Sequence, residues 1–254
     1  MKKILYALIA IPCIVYAQEK DAPAQQSTGK SDLYTKPAIE HLATTIRDSK
    51  SLGFELFYLH GAKVDSVMQK KGYAREVVDY VIAKEDIDPQ LWDSNGRERN
   101  EKPDWNAMTS IITGKYNQAY AIRTVLNAKL RWYDSRKDTV NLLRYTIQKI
   151  DTYGLDTTGF GKMGLNNVAY YMIFMHSNDP ATIQKGIQWM GLIIRSEPGN
   201  GAFIDTYANL LYKEGRTDEA LAWEEKAIQL MPGQPEIEDN LSKMKRREPT
   251  WPTH

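Results

Sequence analysis

From Lys36 onward, apolar residues recur at intervals of three and four positions. That spacing gathers them on one side of an α-helix; a strand would alternate apolar and polar. Pro37–Lys50 carries Ile39, Leu42, Ala43 and Ile46 on one stripe, with a proline in its first turn. Short helices are predicted over 54–58 and 64–70, punctuated by Gly61 and Gly72. Ala74–Lys84 is rich in valine, yet Val77, Val78, Val81 and Ile82 share a helical face and do not alternate. Helices follow over 103–112, 115–133 and 137–151, with two further helix pairs and a final helix at Pro235–Lys245. The polar run Asp93–Lys102 reads as a loop, as does Thr152–Gly164 with its four glycines. No segment has the pattern of a strand, so the expected fold class is all-α.

The segments outside this pattern suggest how the chain is organised. MKKILYALIAIPCIVYA has a basic start, an uncharged core and a small residue at Ala17, the pattern of an export signal cut after residue 17. The expected destination is the periplasm; an anchor through Cys13 is the alternative, disfavoured by Pro12 before the cysteine. Residues 18–34 are largely polar and read as a disordered linker. A helical domain is expected over 35–160, repeats with a capping helix over 161–246, and a tail over 247–254.

Removing residues 1–17 leaves 31 basic and 32 acidic side chains. That balance gives no electrostatic footprint for nucleic acid. Cys13 is the single cysteine, so the exported chain would have no disulfide, thiol nucleophile or cysteine-based zinc site. No transmembrane segment is expected after cleavage.

Pro198-Gly199 and Pro232-Gly233 stand 34 residues apart. Between them, Ala208 and Ala220 are small where two antiparallel helices would touch, and Ala227 is small where the next helix would pack. Gly215 suits the turn and Pro232 ends the second helix. Gly201–Gln234 thus resembles a tetratricopeptide repeat. Asn167–Asn200 is a degenerate copy, with Ile183, Ile187, Met190 and Ile194 as its buried stripe and Gly186 where alanine is usual. The implied architecture is a short solenoid of stacked antiparallel helix pairs.

FYLHGAKVDSVMQKKGYAREVVDYVI, the helix led by Trp105, LNNVAYYMIF and TYANLLYKEGRTDEALAWEEKAI occur in an order that is similar to the helical C-terminal region of exported bacterial thioredoxin-family proteins. The thioredoxin domain and its Cys-x-x-Cys motif are absent, so that family's redox activity does not carry over. The repeat resemblance implies a partner-binding face made by Tyr171, Met175, Asp205, Asn209, Tyr212 and Lys213. Asp205 stands where some members use a basic residue to clamp a terminal carboxylate.

Other motifs are weaker. Gly159–Gly164 spells G-x-G-x-x-G but follows a helix, where a dinucleotide fingerprint needs a strand. Thr113-Gly114-Lys115 lacks the upstream glycine of a phosphate loop and reads as a helix break. His41, His60, His176 and His254 have no zinc-helix spacing. Glu219, Glu224 and Glu225 read as a solvated face. Tyr170, Tyr171, Phe174, Trp189 and Trp223 read as core. Asn166-Asn167 is placed as a helix cap. No catalytic residue, metal or cofactor is expected. The leading expectation is a periplasmic interaction or scaffold protein for an envelope protein or peptide. The alternatives are an accessory subunit to an exported thioredoxin-like protein, and a ligand- or glycan-binding envelope protein.

Overall fold

The computed structural model describes residues 32–99 and 102–252. The expected export signal and most of the expected linker lie outside them. The described part of that linker, Asp32–Tyr34, forms a helical turn. The Tyr34 ring takes the Lys63 ammonium over its face at 3.5 Å and meets His60 edge-on at 6.4 Å. Among the described residues the fold is all-α, with one isolated antiparallel bridge, Trp92 to Glu98. None of their helices is long and apolar enough to cross a membrane. The chain divides into two units between Trp132 and Tyr133, earlier than the expected boundary near 160.

In the first unit, α1 (Lys36–Thr45) buries Ile39 and Ala43, with Ile46 just beyond it. α2 (Phe54–Leu59), α3 (Gly61–Met68) and α4 (Tyr73–Ile82) follow in quick succession. Gln69, in left-handed backbone (φ 51°), ends α3, and Gly53 and Gly72 (φ 95° and 85°) turn the chain into the starts of α2 and α4. Asp65 ties α3 to α4 by accepting from the Ala74 amide at 2.9 Å. A wider i→i+5 turn, Ala83–Ile87, continues α4 into α5 (Asp88–Leu91).

α6 spans Trp105–Lys115 and α7 spans Gln118–Ser135. The expected break at Gly114 is corrected: α6 runs through it to Lys115 and is capped by Tyr116. Lys115 lies 2.9 Å from Glu85 and 3.0 Å from Asp86, so its charge is answered by carboxylates. Burial draws its pKa down, but those two partners more than offset this and leave it raised. Arg123 on α7 pairs with Asp79 on α4 through two 2.6 Å hydrogen bonds.

The second unit has its own core. α8 (Thr139–Tyr153) contributes Leu143. The glycine-rich segment expected as loop contains α9 (Gly159–Asn167), which passes into a second wide turn, Val168–Phe174. Gly161 explains why the glycines serve a helix here. A β-carbon on it would fall 2.5 Å from the Asp156 carbonyl oxygen, so its bare backbone lets the preceding turn fold onto α9. Asn166 and Asn167 accordingly lie within α9 and cap no helix.

α10 (Pro180–Ser196) is capped by Asp179, whose carboxylate accepts from the Thr182 amide at 2.9 Å. Its four predicted stripe residues are all buried. Gly186 packs so closely that an added β-carbon would lie 3.2 Å from Leu210 and 3.3 Å from Ile173. α11 (Gly201–Glu214) and α12 (Thr217–Leu230) form a hairpin across Gly215 (φ 94°). Ala208, Ala220 and Ala227 have no exposed surface. Met231 caps α12, and Pro232 follows it. α13 (Pro235–Lys245) packs on α12.

Candidate functional site

The expected partner-binding face belongs to α11, the wide turn before α10, and whatever lies beside them. Asn200 caps α11 by accepting from the Phe203 amide at 3.3 Å. From that fixed start, Asp205, Asn209 and Tyr212 follow at helical spacing on one side of α11, with Lys213 next to Tyr212.

The structure corrects the accessibility of part of this face. Asn209 is fully buried and Tyr212 is 8 % exposed. Asn209 donates its side-chain amide to the Asp205 carbonyl at 3.0 Å and to the Asp205 carboxyl at 2.9 Å. Asn240, from α13, donates to the same Asp205 oxygen at 3.2 Å. Helix α13 therefore covers what the repeat pattern assigns to an open groove. Of the six predicted residues, Tyr171 stays exposed, and Met175, Asp205 and Lys213 are half-buried.

Glu224 is the largest departure from expectation. It was placed on a solvated face, yet it has no exposed surface. As a carboxylate, neither of its oxygens would have a hydrogen-bond donor. Burial, then the neighbouring Asp205 charge, pushes its pKa up to about 10. Burial therefore favours its neutral acid form, and burial also raises the pKa of Asp205. Glu219 and Glu225 behave as expected, pairing with Arg216 at 2.6 Å and Lys245 at 3.0 Å.

The aromatic end of the face lies at Phe174. The Tyr170 ring lies 5.3 Å from Phe174 and 5.0 Å from Tyr171. Its hydroxyl donates to Glu236 at 2.9 Å, and burial, helped by that carboxylate, raises its pKa. Lys213 donates to the Phe174 carbonyl, and burial lowers its pKa. Residues 248–251, expected as tail, return to this end. The Tyr212 hydroxyl donates to the Glu248 carbonyl at 3.0 Å. The Trp251 ring meets Tyr212 and Phe174 edge-on at 5.9 and 6.3 Å, with the Lys213 ammonium 5.3 Å from its centre.

Sequence reasoning missed Glu224, Asn240 and Trp251. The signal for Glu224 was present: it stands four residues after Ala220 and three before Ala227, on the stripe already assigned to helix contact. Trp251, between Pro249 and Pro252, is a large apolar residue in a segment expected only as a tail.

In the first unit an open depression of about 520 Å³ is lined by Lys84, Asp88, Trp92 and Arg99. Within it, Asp88 pairs with Lys84 at 2.9 Å and with Arg131 at 2.8 Å, and Arg99 donates to the Trp92 carbonyl at 3.0 Å. Among the described residues no three His, Cys, Asp or Glu side chains gather to hold a metal. No protein-family model, curated protein or solved structure matches the chain.

Proposed function

We propose that the protein is an exported, non-catalytic helical-repeat protein that binds an extended segment of an envelope protein along α11 and the Tyr170–Met175 turn. One observation carries the reading: this face already holds a non-helical stretch of chain, Glu248–Trp251, by a side-chain hydrogen bond to a backbone carbonyl and by an aromatic ring. A hydroxyl reading a main-chain carbonyl, beside a pocket for an alternate side chain, is a common way to hold peptides. Tyr171 and Met175 continue the same surface and supply adaptable apolar contact. The buried polar layer below it, Asp205 with Asn209, Glu224 and Asn240, fixes α11 against α12 and α13, so the face is rigid when a partner arrives.

The test is affinity capture from envelope extract, with the full chain and a Tyr171→Ala/Met175→Ala variant as paired baits. A partner enriched by the first and lost by the second supports the face. A partner retained by both baits overturns it. Recovery of an exported thioredoxin-like protein would give the accessory-subunit form of the proposal. A thermal shift of several degrees with one glycan class and no captured protein would replace it with the ligand-binding form.

A further inference from the structure

The segment after α13 is held in place by few attachments. Arg247 leaves the helix in left-handed backbone (φ 58°), and the Glu248 amide closes the cap on the Lys243 carbonyl at 2.9 Å. A side-chain-bearing residue resists that conformation, so contacts further along must hold the turn. Pro249 and Pro252 have no amide hydrogen, which limits backbone bonding by the segment. Its attachments are the Glu248 carbonyl on Tyr212 of α11 and the Trp251 ring, edge-on to Tyr212 and to Phe174 of the preceding wide turn, with the Lys213 ammonium beside it. Between these two, the Thr250 hydroxyl is buried with no hydrogen-bond partner.

We propose that residues 248–252 are a displaceable internal occupant of the α11 face, which a partner must expel. The partner that fits is an extended peptide with an aromatic side chain for the Trp251 position, a carbonyl for Tyr212, and an apolar residue in place of Thr250. This deepens the peptide-binding reading and rests on it. The chemistry follows from the occupant's defect. A short tether makes even a weak contact effective, because the local concentration of a linked segment is high. An occupant with one unmet hydroxyl keeps the face dry yet binds below the strength the face allows. A partner in trans that replaces that hydroxyl with a methyl group gains what the occupant lacks.

The experiment uses the full chain, its Trp251→Ala variant, and fluorescently labelled synthetic peptides. One peptide carries residues 246–252 (RREPTWP), and the other is the same with Thr250→Val. Fluorescence anisotropy reads the binding. The parent peptide is expected to bind Trp251→Ala at least about tenfold more tightly than the unsubstituted chain, since only the latter has a tethered competitor. The valine peptide is expected to bind the variant about fivefold or more above the parent peptide, the fold-change of one unmet polar group removed. Equal binding to both proteins overturns the proposal. So does absence of binding to a variant whose circular dichroism remains helical. If Trp251→Ala fails to fold, Trp251→Leu takes its place: it removes the tethered ring contact, keeps the Tyr212 hydroxyl for an incoming carbonyl, and is expected to bind the peptides better than the unsubstituted chain. A flat peptide result with Tyr171-dependent capture intact removes the internal occupant and leaves the binding face standing; loss of both removes both.

Discussion

At the scale of single residues, the buried acid is where the chain is most sensitive to its solution. Glu224 faces Asp205, with Asn209 and Asn240 donating to Asp205, and Tyr170 and Glu236 beside them. Its folded pKa stands at about 10 against an ordinary 4.5. Below the lower value it is protonated whether folded or not, and its contribution to stability is complete. Between the two values the folded chain keeps a proton that the unfolded chain releases, so stability falls as pH rises through that window. Glu224→Gln keeps the shape and a hydrogen-bond donor and cannot ionise. It is expected to add roughly 1–3 kcal/mol at pH 8 and to flatten the slope. Urea melts at pH 5 and pH 8 check this, and an unchanged slope would refute the buried-acid assignment. Arg123 offers a second case. Removing it leaves the half-buried Asp79 without its partner, so Arg123→Ala is expected to cost about 1–3 kcal/mol by the same melts.

At the scale of elements, helices with an unbroken apolar stripe were readable from the sequence, while their junctions were not. α10 shows why: a capping aspartate, a first-turn proline and four stripe residues agree on one answer. The glycine-rich segment fails because glycine has two meanings. Gly215 ends α11 with φ 94°, whereas Gly161 sits inside α9 to make room for Asp156, and only three-dimensional neighbours separate these roles. The candidate face was half legible for a similar reason. Spacing aligned Asp205, Asn209 and Tyr212, but nothing in spacing announced that α13 and Trp251 would lie across them. The glycines supply a paired test. Gly161→Ala collides with the Asp156 backbone and is expected to destabilise; Gly164→Ala meets open space inside the same helix and is expected to gain about 0.5–1 kcal/mol. Equal effects on the melting curve would mean that α9 is not helical there. Gly215→Ala, forced into left-handed backbone, is expected to cost about 1 kcal/mol.

At the scale of the whole molecule, each unit buries its own apolar residues. The core that includes Leu143, Ile173, Phe174, Met190, Ile204 and Leu211 lies wholly within the unit that begins at Tyr133. A fragment starting there is long enough to bury a sufficient core and is expected to give helical circular dichroism and one cooperative melt. A gradual melt would show that this core depends on residues before Tyr133. The buried acid on α12 also reaches the whole folding reaction. Because Glu224 is neutral when folded and ionised when unfolded at neutral pH, acquiring the native structure consumes about one hydrogen ion from the medium. The heat of unfolding recorded in a calorimeter should then differ between phosphate and Tris by their enthalpies of ionisation, making the buffer a silent reactant in this protein's assembly.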